Sequence, residues 1–195
     1  MTLPISKEQA LELLEKYNPK LNIQDWNHFL ESEAIMRALA QKLNEDADYW
    51  AMLGLLHDID WGITKDNSKE HLTKAPEILK QTGFNQEFTD TIISHGYGFD
   101  CAGLINKQRT KPIEHALAAS ETLTGLIHAY ALMRGKEISG MEVKGLKKKF
   151  KDKTFAANCN REIIKEIETI NITLDEFFQL SIEAIKNIKN LVNLE

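Results

Sequence analysis

An apolar helical run from Trp50 to Leu56 ends in an adjacent imidazole and carboxylate, His57 and Asp58, with Gly62 as a stop just beyond them. This stretch constrains the fold more than any other. Successive helical residues point about 100° apart, so two neighbours reach one point only near a helix end or beneath converging partners. A neutral imidazole nitrogen beside a hard carboxylate oxygen suits Mn, Fe, Co, Ni or Zn better than an all-oxygen calcium site. Taken alone, the dipeptide also describes an ordinary capped or solvated helix end.

The spacing of the other histidines and acids turns the argument toward a ligand set. His28 precedes the doublet by 29 residues, His71 and His95 follow His57 by 14 and 38, and Glu121 comes later still. His28 sits with Ile35, Leu39 and Leu43 on one side of a helix predicted over 23–43, so it faces inward. A buried imidazole needs a partner, either a backbone carbonyl or a shared ion. His71 has an alternative reading as an exposed histidine in a helix's first turn. His95 closes a helix that begins near Gln86, where the helix dipole favours a histidine in any case. Arg109, in a glycine-containing loop over 96–110, reads either as a phosphate contact or as a surface side chain.

With these residues in place, the chain resembles the HD-domain superfamily of metal-dependent phosphohydrolases, whose pattern is a His, a His-Asp doublet and a later Asp on a third helix. The likeness is closest to the bacterial branch of predicted HD superfamily hydrolases and runs from His28 to Arg161. It takes in the leucine-rich approach to the doublet, the Leu123-Thr124-Gly125-Leu126-Ile127 helix, a lysine-rich segment and the Phe155-Ala156-Ala157 turn. The resemblance implies that His28, His57, Asp58 and Glu121 hold one ion, Glu121 standing where the family has Asp. His71 and His95 resemble the extra histidines of bimetallic members, which would make Asp58 a bridge and the central catalytic carboxylate. One or two divalent ions (Mn, Fe, Co, Ni, Zn or Mg) are the implied cofactor. The implied activity is hydrolysis of a phosphate monoester or diester, the substrate being a small phosphorylated compound of nucleotide type. Two other readings accompany it: a di-iron HD oxygenase, and a catalytically degenerate nucleotide-binding or regulatory module.

The rest of the chain reads as helices. Capping boxes at Ser6-Lys7-Glu8-Gln9, Ser139-Gly140-Met141-Glu142 and Thr173-Leu174-Asp175-Glu176 open helices, Asp46 caps the run that reaches Asp58, and Pro112 starts a long helix reaching about Arg134. The final helices, over 155–170 and 174–194, carry apolar stripes suited to core packing or to a homo-oligomer. No strand-period alternation is long enough to matter. The expected fold is therefore all-α, a bundle of about eight or nine helices. It forms one domain over 1–195, in which 136–195 is a C-terminal helical extension packed on the core.

A net charge of −5 disfavours a broad nucleic-acid face and leaves room for a local basic patch, for which Lys144 to Lys153 is the one candidate. Cys101 and Cys159, without CxxC spacing, read as reduced thiols, and no apolar run approaches the ~18 residues of a membrane span. Both point to a cytoplasmic protein away from membranes.

Overall fold

The computed structural model describes residues 2–195, and its described residues contain ten α-helices, two 3-10 segments and no strand. The helices are α1 (Lys7–Tyr17), α2 (Ile23–Leu43), α3 (Ala47–Leu56), α4 (Trp61–Thr64), α5 (Ala75–Thr82), α6 (Gln86–Ser94), α7 (Pro112–Met133), α8 (Val143–Lys151), α9 (Arg161–Lys165) and α10 (Leu174–Asn187). The count exceeds expectation because α4 and α9 are single turns of 4 and 5 residues. No described helix is long and apolar enough to cross a membrane.

Local chemistry starts these helices. Asn22, Asp46 and Asn85 each accept the backbone N–H three residues on, at 2.9, 3.0 and 2.9 Å, and Ser6 and Thr173 form the expected capping boxes. Asn44, in the left-handed region at φ 58°, ends α2.

The most extensive helix pair is α2 against α3, and α2 also packs on α7 and α10. Every residue of α3 from Tyr49 to Leu56 is buried. Gly54 lets the two helices approach, since a Cβ there would lie 2.5 Å from the Ser32 carbonyl oxygen. The resulting core runs without interruption from Ala10 to Leu194 and includes Leu146, Ile164, Phe178 and Ile182 from the C-terminal region.

Several local expectations need correction. Helix α3 ends at Leu56, so His57 and Asp58 occupy the turn after it. Gly62 lies inside α4, where Asn18 approaches too closely for a side chain and accepts the Gly62 N–H. His71 follows a 3-10 segment, Ser68–Glu70, and precedes α5. The Ser139 capping box does not form: the N-cap of α8 is Glu142, and Ser139 Oγ is bound by Lys189 instead. Turns replace helix over 155–160 and after Asn187, and Glu166–Ile170 is 3-10.

Candidate metal centre

Four histidines and one aspartate from separate parts of the chain meet in two donor groups, His28–His57–Asp58 and Asp58–His71–His95. In the first, His28 Nε2 and His57 Nε2 are 2.9 Å apart and lie 3.8 and 3.6 Å from Asp58 Oδ2. In the second, His71 Nε2 and His95 Nε2 are 3.3 Å apart and each lies 3.2 Å from Asp58 Oδ1. With metal–ligand bonds of about 2.0–2.1 Å, neighbouring ligands on one ion stand about 3.0–3.4 Å apart and opposite ones about 4.2 Å. The second group falls among the neighbouring separations, and the first spreads from 2.9 to 3.8 Å, short of the opposite-ligand distance.

The far nitrogens of the rings decide what the near ones present. The Thr124 hydroxyl donates to the Glu121 carbonyl at 2.6 Å, so at 2.7 Å from His28 Nδ1 it can only accept. His57 Nδ1 donates to the Gly54 carbonyl at 2.8 Å, and His95 Nδ1 to the Ile92 carbonyl at 2.7 Å. Each proton is therefore on Nδ1, and three bare Nε2 lone pairs point into the centre. His28 Nε2 and His57 Nε2 face each other at 2.9 Å, a separation that two ligands of one cation would have. Asp58 Oδ1 is buried 3.2 Å from both His71 Nε2 and His95 Nε2 with neither aligned for a hydrogen bond, a placement that suits a cation shared among the three. The donor set thus fits one or two divalent ions, and the outer hydrogen bonds orient the rings as metal-ligating histidines require.

Titration behaviour follows from the same burial. Burial, which Asp58's charge only partly opposes, draws the His57 pKa down to about 3, so this imidazole is neutral at pH 7. For Asp58, burial acts upward but is outweighed by His57 and His71, which hold the carboxyl well below its usual range. His71 is the counterpart: burial lowers its pKa, but Asp58 and then Asp60 outweigh it and raise the value to about 10. Without a cation, His71 carries the proton that balances Asp58.

Asp60, two residues past the doublet, is fully buried. It accepts the N–H groups of Leu72, Lys74 and Ala75 at 3.2, 3.0 and 3.1 Å and lies 3.3 Å from His71 Nδ1. It thereby caps α5 from a distance and holds Leu72 at φ 67°, a left-handed conformation costing about 1–2 kcal/mol in a leucine. His71 is fixed between its two aspartates as a result.

The remaining predicted site residues fare differently. Glu121 lines the same cavity, but its carboxylate accepts the Thr122 hydroxyl and belongs to neither donor group. Burial raises its pKa, against the opposing influence of His95 and His28. Arg109 is turned away from the cavity: Nε and Nη2 bind Glu166 at 2.6 and 2.7 Å, and Nη1 binds the carbonyls of Ser94, His95 and Tyr97. It braces the end of α6 that carries His95. His115 Nδ1 joins it on Glu166 at 2.7 Å, and His128 Nδ1 pairs with buried Glu31 at 2.7 Å, so both lie outside the centre.

A family model for the HD domain matches residues 25–131. The chain belongs to the HD domain family. That family is one of metal-dependent phosphohydrolases, and all six predicted ligand positions of this HD chain, His28 to Glu121, fall within the match. No curated protein and no solved structure matches the chain.

The HD centre opens into a cavity of about 560 Å³, within the 300–1,000 Å³ of small-molecule sites. One wall, Asn158 to Asn160, comes from beyond the family match. The apolar pattern of the sequence predicts the start of a helix there. What shapes the wall is Arg161, whose guanidinium binds the carbonyls of Phe150, Asp152, Phe155, Ala156 and Cys159.

Proposed function

We propose that this protein is a hydrolase of phosphate monoesters or diesters of nucleotide type, acting at Asp58. In this reading His28, His57 and Asp58 would hold one divalent ion, Asp58, His71 and His95 would hold a second, and Glu121 would supply a further oxygen ligand from the same cavity. A divalent ion there supplies Lewis acidity toward a phosphoryl oxygen and lowers the pKa of water. The protein's own part is to direct the Nε2 atoms of His28, His57 and His95 into the centre through the bonds at their Nδ1 atoms, to keep Asp58 ionised, and to hold all of them at fixed separations. The observation that carries the reading is the convergence of four Nε2 atoms on the two oxygens of Asp58, His28 and His57 at 3.8 and 3.6 Å from Oδ2 and His71 and His95 at 3.2 Å from Oδ1.

The test is hydrolysis of a panel of phosphate mono- and diesters by chelator-stripped protein reloaded with Mn, Co, Ni, Mg or Fe. Phosphate release is expected with at least one ion and is expected to vanish in Asp58→Ala, whose fold is checked by circular dichroism. Unchanged turnover in that variant contradicts the assignment. The doubled donor set also suits a di-iron oxygenase, and oxygen consumption by aerobic iron-loaded protein without phosphate release selects that reading instead.

A further inference from the structure

Among the described residues, no lysine or arginine lines the cavity over the HD centre, although the chain has 24 of them. It does carry three carboxylates, Asp58, Asp100 and Glu121. Both arginines nearest in sequence to the cavity walls are fully engaged, Arg109 on Glu166 and three carbonyls, Arg161 on five carbonyls. The basic segment that sequence reading held open for an anionic ligand faces elsewhere, since Lys147, Lys151 and Lys153 line a different cavity. Proteins that hold polyphosphate chains surround them with cationic side chains, because every phosphate beyond the reacting one adds charge that needs neutralising. Here such charge would meet Glu121, and Lys69, the basic side chain beside this wall, is already paired with Asp100 at 3.1 Å.

The other walls favour an uncharged body. Trp61 packs edge-on against His71, with ring centroids 5.4 Å apart, and the Phe99 ring is 44% exposed at the same cavity. An exposed aromatic ring beside a concave site gains from an apolar or aromatic ligand face. Asn158, exposed and lining the same cavity, supplies an amide that donates and accepts without adding charge.

The geometry points to a substrate with a single phosphate on a neutral, largely aromatic body, to the exclusion of polyphosphorylated compounds. This rests on the hydrolase reading above and narrows its substrate. The phosphate would take its counter-charge from ions at Asp58, and the body would lie along Trp61 and Phe99 with its polar edge toward Asn158.

The experiment compares kcat/KM of the Mn-loaded protein for a nucleoside monophosphate and an aryl monophosphate with that for the corresponding di- and triphosphates, at constant free Mn. We expect the monophosphates to be preferred by about tenfold or more, the effect of one or two like-charge contacts in a partly desolvated site. Equal or faster turnover of the triphosphate overturns the inference and leaves the hydrolase reading standing. If none of the esters is cleaved, the hydrolase reading fails separately. Calorimetric binding of benzylphosphonate against a methylene-bridged triphosphate analogue then still reads the charge preference: tighter phosphonate binding supports it and the reverse overturns it. Asn158→Lys, which adds a cation to the exposed wall, should narrow the monophosphate-to-triphosphate ratio several-fold, and an unchanged ratio counts against the inference.

Discussion

Thr124 shows how much of the centre depends on residues whose type announces nothing. Its hydroxyl is fixed by the Glu121 carbonyl and so accepts from His28 Nδ1, which leaves His28 Nε2 bare. Thr124→Val should keep the fold, with a melting temperature close to wild type, yet weaken metal binding about 10–100-fold, as loss of such an orienting bond does. Competition with a chromophoric chelator measures this. The histidines and Asp58 were legible in the sequence because imidazole and carboxylate are rare on apolar helical faces and their spacing could be compared. Thr124 and Asp60 were not, because a helical threonine or a loop aspartate has many ordinary uses, and only the assembled structure shows which N–H or ring each one faces. Arg109 was misread for the same reason: a loop arginine beside His95 looks like an anion contact until Glu166, 57 residues away in sequence, turns out to hold it.

Among the elements, α2 and α3 bring His28 to the His57–Asp58 turn, and their separation is set at Gly54. Gly54→Ala places a methyl group 2.5 Å from the Ser32 carbonyl oxygen, a backbone atom that cannot step aside without moving α2. The expected cost is about 1–3 kcal/mol, read as a lower melting temperature in thermal denaturation, with weaker metal binding because the two ligand-bearing segments move apart. The helices themselves were largely legible: the bounds of α2 and the caps at Ser6, Asp46 and Thr173 follow from side chains that act on their own neighbours. The failures occur where a distant group intervenes. Lys189 takes Ser139 out of its capping box, and Arg161 gathers the carbonyls over 150–159 into turns where helical periodicity predicted a helix start.

Across the whole molecule, the region beyond the family match braces the centre. Glu166 holds Arg109, and Arg109 holds the carbonyls at the end of α6 that position His95. Burial pushes the Glu166 pKa up, but Arg109 and His115 outweigh it, so the folded-state value lies below the usual 4.5. A carboxyl depressed on folding contributes stability that is present above its unfolded pKa and is lost as pH falls through the folded one. Glu166→Gln should therefore lower the melting temperature at pH 7, and the gap to wild type should close as pH drops below about 4.5. A gap that does not narrow as the pH is lowered contradicts this account. The all-helical architecture was visible in the sequence; the dependence of His95 on residues 109 and 166 was not, because it joins segments that only the folded chain brings together.

Metal content tests the central claim most directly, that four imidazoles and Asp58 converge on divalent cations. Chelator-stripped protein, reloaded and desalted, should retain up to two ions per chain by elemental analysis; Asp58→Ala, folded by circular dichroism, should retain none tightly, and His71→Ala one. Wild-type protein that retains no ion, or an Asp58→Ala variant that retains as many as wild type, would contradict the account.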